Sequence, residues 1–289
     1  MKRQVFGAIR PQSPKKAKLV ALDFDGTMTD IEKEAEPFLG SFIRSLAREM
    51  RVRESELLDA WEPARDKVLA GPSRFGLMHG GKLVAPAYAD PYVLASAVAG
   101  EVSEALGFVP DCGRAEFLDR LFHTSYPDSA IVFREGARDF LIALSRFDAC
   151  FVTNSRADSV RRKLSVLGME GMRIFGEAKK NVLDDSWAGV PESIAPEGFG
   201  RPVYLRRKNY WSILENLLMP RSLGPGELLV AGDIYDMDLA LPGFMGAHIS
   251  IVSRPSTARH FLVAVSSHPG GFVSPALDVL LEGIMERTK

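Results

Sequence analysis

The sequence predicts a doubly wound, Rossmann-like α/β protein: a parallel sheet with helices on both faces, interrupted by a helical insertion. Three observations predict it. Short apolar runs (Leu19-Val20-Ala21-Leu22, Ala149-Cys150-Phe151-Val152 and Leu228-Leu229-Val230-Ala231) read as strands covered on both faces. From Ile131 onward such runs alternate with helical segments, the rhythm of a parallel sheet. Asp23 and Thr153, at the tips of the first two runs, lie about 130 residues apart, whereas a crossover between parallel strands needs only a dozen or more.

The first run ends in Asp23-Phe24-Asp25-Gly26-Thr27, two carboxylates one residue apart followed by a glycine where the strand can break into a turn. About 100 residues of helical character follow. Residues 36–50 carry Phe38, Leu39, Phe42, Ile43 and Leu46 at spacings of three and four. Residues 54–69 repeat the style with Leu57, Leu58, Trp61 and Val68, interrupted by Pro63. The Gly/Pro-rich stretch 71–91 predicts a long loop or a short hairpin around Lys82-Leu83-Val84, and residues 92–106 and 114–123 are two more helices. Past Ile131 come a helix over 136–147, the strand ending in Thr153-Asn154-Ser155, a helix over 159–167, and a short strand at 173–176. An irregular excursion over 181–200 leads to an extended Pro202-Val203-Tyr204-Leu205, then a helix over 209–219. The next strand ends in Gly232-Asp233; a short helix at 240–243, a strand at 248–252, and a turn at Pro269-Gly270-Gly271 before a last helix over 274–287 complete the chain.

Composition excludes several function classes. The 289 residues are 46% hydrophobic and 25% charged, as in ordinary globular proteins, and 36 basic against 37 acidic residues leave a formal charge of −1. No overall field favours nucleic acid or an anionic membrane, and the cluster Lys15, Lys16, Lys18 reads as a solvated face before the first strand. Cys112 and Cys150 are too few for a disulfide framework and lack metal-ligand spacing, which predicts a reducing, cytoplasmic setting. No apolar run approaches the roughly 20 residues that span a bilayer. Residues 1–7 begin basic, but no apolar core of about 7–15 residues follows, so no secretory signal is expected.

Three predicted strands thus terminate in polar tips: Asp23-Phe24-Asp25, Thr153-Asn154, and Gly232-Asp233 with Asp236 and Asp238 just beyond. Parallel strands bring such tips to one edge, where ligands collect. Two carboxylates at one tip repel each other unless a cation sits between them, and a hard dication with oxygen ligands, most naturally Mg2+, removes that penalty. The chemistry that uses this set is phosphoryl transfer through an aspartyl-phosphate. Asp23 attacks phosphorus. Asp25, on the same side of the pleat, protonates the leaving alkoxide and then activates water. Thr153 and Asn154 face phosphate oxygens, and Lys208, opening the helix before the third strand, supplies a fixed positive charge. The metal is held by Asp23, Asp25 through its main-chain carbonyl, and Asp233, with Asp238 anchoring the lysine or a metal-bound water. Lys180 competes with Lys208 for the lysine's role, and Asp236 with Asp238 for the second acidic position.

On these residues the chain resembles the haloacid dehalogenase superfamily of aspartate-nucleophile phosphohydrolases. Residues 19–27 are similar to its first motif, an apolar strand followed by D-x-D-G-T; Phe151-Val152-Thr153-Asn154 to its second; Gly232-Asp233, four residues and Asp238 to its fourth. The third motif is a bare lysine, placed by the resemblance at Lys208, which lacks the common following proline. The match covers residues 18–30 and 131–255. Members that dehalogenate lack an acid/base aspartate two residues past the nucleophile, so the presence of Asp25 implies a phosphatase acting on a small phosphorylated metabolite. A sugar phosphomutase, and a catalytically silent binding protein that keeps the fold, are the alternatives. The resemblance further implies a core of residues 1–30 and 131–289 with a helical cap at 31–130, where Arg74, His79, Lys82 and Tyr88 are candidates for substrate contact.

Overall fold

A computed structural model describes residues 14–289, and residues 1–7, on which the signal-peptide expectation rests, lie outside them. The chain divides into two compact units. One combines the described part of Met1–Met28 with Phe133–Lys289, and the other is Thr29–Val132.

The first unit is built on a six-stranded parallel sheet. In chain order its strands are β1 (Leu19–Leu22), β4 (Ala149–Val152), β5 (Ile174–Phe175), β8 (Leu228–Gly232), β9 (His248–Val252) and β10 (Gly271–Ser274). They lie in the order β10-β9-β8-β1-β4-β5. The chain leaves β1 for β4 on one side and later returns to fill β8 on the other, so strand order reverses at β1. That is where open sheets of this kind form their ligand crevice. Register sets the tips level: Leu22 pairs with Phe151 on one side and Ala231 on the other, and the Asp23 amide donates to the Ala231 carbonyl at 2.8 Å. Every residue of β1, β4, β8 and β9 is buried, as expected of strands covered on both faces.

Helices α5 (Ala137–Leu144), α6 (Ala157–Ser165), α7 (Lys208–Leu218), α8 (Ala240–Phe244), α9 (Arg259–Ser266) and α10 (Leu277–Thr288) accompany these strands. Phe140, Leu141 and Leu144 of α5, Val160 and Leu164 of α6, and Leu280 and Ile284 of α10 join the strand residues Val20, Leu22 and Phe151 in one core. Phe24 anchors the site to that core. Its ring is fully buried, edge-on to Phe151 at 5.2 Å between centroids, and its burial is worth about 2–3 kcal/mol. The pleat sends Phe24 inward, and Asp23 and Asp25 to the opposite side.

The sequence did not predict β10 or α9. Gly270-Gly271 reads as a turn, yet the strand begins at Gly271 itself, where a Cβ would collide with the Val265 carbonyl. The excursion over 181–200 contributes β6 (Ser193–Ile194), which pairs antiparallel with β7 (Val203–Tyr204).

The second unit, Thr29–Val132, holds α1 (Ile31–Met50), α2 (Glu54–Ala70), the hairpin β2 (Gly76–His79) and β3 (Lys82–Pro86), α3 (Pro91–Ala105) and α4 (Arg114–Ser125). Asp30 and Asp90 cap α1 and α3 by accepting the backbone amides of Lys33 and of Tyr92 and Val93. Pro91 opens α3 where no amide is needed. Contrary to the interruption expected at Pro63, α2 runs unbroken through it, with Leu57, Trp61, Ala64 and Val68 buried on one face. That continuous apolar face outweighs one missing backbone hydrogen bond. The hairpin turns on Gly80-Gly81, both left-handed (φ 55° and 77°), the conformation a two-residue hairpin turn requires. Arg74, His79, Lys82 and Tyr88 all lie in or beside it, Arg74 stacked 5.1 Å from the Phe75 ring.

Candidate active site

Three of the predicted carboxylates meet. Oxygens of Asp23, Asp233 and Asp238 lie within 4.8 Å of one another, the one such cluster of metal-ligating side chains among the described residues. Asp23 stands at the tip of β1. Asp233 follows β8, and Asp238 lies in a single π-helical turn, Tyr235–Leu239, directly after it. Such turns recur at functional sites because they re-aim side chains without ending a helix. The Asp238 carboxylate accepts the Ile234 amide at 3.0 Å, closing the loop on itself. Gly26 makes room for Asp233: at φ +78° it is left-handed, and a Cβ there would collide with the Asp233 carboxylate. Arg134 braces the same turn, donating from Nε and Nη2 to the Gly26 carbonyl at 3.1 and 2.7 Å and from Nη1 to the Ser253 carbonyl at 3.1 Å.

Lys180 is the lysine that reaches the carboxylates. Its Nζ donates to Asp23 Oδ1 at 2.6 Å and to Asp238 Oδ1 at 2.7 Å, and its side chain is 2% exposed. The expected Lys208 instead stands at the start of α7, 52% exposed and 3.5 Å from Asp184. The physical reason is the irregular stretch of chain between Lys180 and α7. The segment after β5 hydrogen-bonds along Thr153-Asn154-Ser155: Ala178 N to the Thr153 carbonyl (2.9 Å), Glu177 N to the Ser155 carbonyl (3.0 Å) and Lys180 N to Asn154 Oδ1 (2.8 Å). Glu177 and Lys179 adopt left-handed φ values of 52° and 51°, unusual for non-glycine residues and costly unless the surroundings impose them. The excursion after Lys180 then separates it from α7. Fully buried Arg207 joins the two ends, donating to the Lys180 carbonyl. Spacing back from Asp233 therefore finds Lys208, while the strand tip holds Lys180.

The other predicted residues divide. Thr153 is buried, and its hydroxyl oxygen accepts the Ser155 amide at 3.1 Å, leaving the hydroxyl proton for an incoming acceptor. Asn154 is exposed at the strand tip and uses its carboxamide oxygen to hold the Lys180 backbone. Asp236 turns away, paired with Arg201 through two bonds of 2.6 and 2.9 Å, and it is Asp238 that joins the acidic cluster. The Asp25 carboxylate, expected to move a proton while its main-chain carbonyl faces the metal, stands outside the acidic cluster: it accepts Ser155 Oγ at 2.6 Å and Lys163 Nζ at 2.8 Å. Sequence reasoning missed Lys163, Ser155, Arg134 and Arg254. Of these, only Ser155 carried a signal, as a polar residue at a strand tip.

Electrostatics favour a cation. Lys180 and Arg254 (3.3 Å from Asp233 Oδ2) balance two of the three carboxylates, so the cluster keeps a negative charge. Burial raises the Asp23 carboxyl well above its ordinary value; Lys180 opposes that, while Asp238 and Asp233 add to it. For Lys180, burial pulls the ammonium down, but Asp23 and Asp238 outweigh it and hold the group above the usual lysine value. A crowded, buried, all-oxygen donor set with excess negative charge fits a hard dication. Cys150, buried in β4 with its thiol pushed up to about 12, and Cys112 are free thiols that play no part here.

No family model matches the sequence, and no curated protein matches it at a significant level. Solved structures do resemble it. YfnB from Bacillus subtilis, described as a HAD-hydrolase and solved with magnesium bound, superposes with a TM-score of 0.52 at 12% identity, covering 94% of this chain and 100% of that one. A protein from Haemophilus somnus, described as a predicted phosphoglycolate phosphatase, gives 0.50 at 14% identity, covering 93% and 98%. At such identities the likeness concerns the fold. With a parallel sheet that reverses order at β1 and a helical unit inserted directly after the first acidic tip, the chain has a fold similar to that of these two structures.

Proposed function

We propose that the chain is a Mg2+-dependent phosphoric monoester hydrolase acting on a small phosphorylated metabolite through an aspartyl-phosphate. The observation that carries the reading is Asp23, held by Lys180 at 2.6 Å beside Asp233 and Asp238, with Asp25 two residues on. A carboxylate oxygen of Asp23 attacks phosphorus, and the bond from phosphorus to the ester oxygen breaks. Asp25 delivers its proton to the departing alkoxide. Lys180 and the Thr153 hydroxyl hold the phosphoryl oxygens as charge builds on them. Water then attacks the aspartyl-phosphate, Asp25 takes up the proton, and Asp23 is released as a carboxylate. Mg2+, held by Asp23 and Asp233 with Asp238 alongside, would screen the repulsion between carboxylate and phosphate. The magnesium in YfnB and the description of the Haemophilus somnus protein support the metal and the phosphate ester respectively. Asp25 favours hydrolysis of a phosphate ester over dehalogenation, which needs no proton for its leaving group.

The test is a screen of phosphorylated metabolites with Mg2+, run beside Asp23→Asn. Wild type should release phosphate, chelator should stop it, and the variant should fold and melt as wild type while releasing none. Turnover surviving in Asp23→Asn would refute the mechanism.

A further inference from the structure

The segment after β4 contributes two residues that converge on Asp25 rather than on the acidic cluster. Lys163, on α6, donates to Oδ1 at 2.8 Å, and Ser155, at the strand tip, donates to Oδ2 at 2.6 Å. Both side chains of the ion pair are mostly buried, 17% exposed for Lys163 and 23% for Asp25, and the ammonium also lies 5.9 Å from the Phe24 ring. Gly176 packs against this corner, where a Cβ would press on the Ser155 carbonyl at 2.6 Å, so its backbone is closely confined.

The two partners differ in hydrogen-bonding capacity. A lysine ammonium only donates, whereas a serine hydroxyl donates or accepts by rotating. An oxygen that accepts from Lys163 is poorly placed to carry a proton itself. The other oxygen can alternate: ionised, it accepts from Ser155; protonated, it turns its O–H toward Ser155 or the substrate.

We propose that Lys163 and Ser155 are positioning residues that make Oδ2 the proton-carrying oxygen of Asp25 and hold it in line with the leaving group. The proposal rests on the phosphatase reading above. In the first half-reaction the proton moves from Oδ2 to the ester oxygen as the phosphorus–oxygen bond breaks and the Asp23–phosphorus bond forms. In the second, water gives a proton back to Oδ2 while its oxygen joins phosphorus and Asp23 leaves. Lys163 stays on Oδ1 throughout.

A purely structural lysine and one that aims a proton differ in how they respond to the leaving group. A good leaving group departs with little help, whereas an alkoxide needs its proton. The experiment measures kcat/KM of the Mg2+-loaded full chain for p-nitrophenyl phosphate, phenyl phosphate and glycerol 2-phosphate, in wild type, Lys163→Met, Lys163→Arg and Ser155→Ala. Lys163→Met should lose about threefold on p-nitrophenyl phosphate, rising to about 100-fold on glycerol 2-phosphate. Lys163→Arg should stay within about threefold of wild type on all three. Ser155→Ala should show the same graded loss as Lys163→Met, and it decides the matter if Lys163→Met does not fold. Equal losses on all three esters, or a Lys163→Arg profile as steep as that of Lys163→Met, would overturn the proposal and leave the phosphatase reading standing. Failure of wild type to release phosphate from any of the three, or from any ester in the metabolite screen, would overturn both.

Discussion

At the scale of single residues, the site depends on which lysine answers the carboxylates. Lys180 lies between Asp23 and Asp238, and its charge is held there by both. Replacing it with methionine leaves the buried Asp238 and the largely buried Asp23 without their shared donor, a costlier change than losing a surface charge. Lys180→Met should lower kcat by about 10²–10³ and reduce the melting temperature. Lys208→Met, at an exposed helix start, should keep activity within about twofold and melt as wild type. Phosphate-release assays on the two variants side by side check this, and a dead Lys208→Met with an active Lys180→Met would reverse the assignment.

At the scale of elements, the sheet is tied at the opposite end from the site. Asp148, just before β4, pairs with Arg173 before β5 and with Arg221 after α7, at 2.5 Å from the Nε of Arg221. The hydrogen bond from Arg221 lowers the Asp148 carboxyl, partial burial opposes it, and Arg173 adds to the lowering. A depressed folded-state value means stability that is present above the unfolded carboxylate value, about 3.9, and lost as pH falls through the folded one. Because the carboxylate is 37% exposed, solvent screens the pair, and its contribution is about 0.5–1 kcal/mol. Asp148→Asn should be less stable than wild type by that amount at pH 7, and the gap should close as pH falls below the unfolded carboxylate value and through the lower folded one. Urea titrations at several pH values read it directly; a gap that stays constant would show that charge plays no part.

At the scale of the whole molecule, two cores are separate in composition. Phe38, Phe42, Leu46, Trp61, Val98 and Phe117, with the rest of their cluster, all come from Thr29–Val132, and this unit is one continuous stretch of chain. Residues 29–132 expressed alone should therefore show helical circular dichroism and a cooperative thermal transition; a broad, non-cooperative melt would mean that its core is incomplete. The other unit should respond to metal. Its acidic cluster joins the tip of β1 to the turn after β8, so a dication bound there stabilises the native sheet over the unfolded chain. At about 100 times its dissociation constant, Mg2+ should add about 2.7 kcal/mol, seen as a rise of several degrees in the melting temperature. Asp233→Asn should blunt that rise, and an equal shift in both proteins would place the metal elsewhere.

Much of this was legible in the residues themselves. All-apolar runs of four or five residues that end abruptly in polar residues, alternating with helical segments, read as strands buried on both faces. β1, β4 and β8, and the acidic tips after β1 and β8, were therefore readable without coordinates, as was the surplus of helical sequence between the first two strands. Tertiary structure decided the rest. That Lys180 and not Lys208 reaches the carboxylates depended on the excursion between them, whose ends meet through Arg207. Asp238 over Asp236 depended on a π-helical turn and on Arg201. Lys163 reached Asp25 across 138 residues of chain. Pattern and spacing report what a segment does locally, within a strand or a helix turn; which of two nearby charges faces a site depends on contacts between segments that no local pattern encodes.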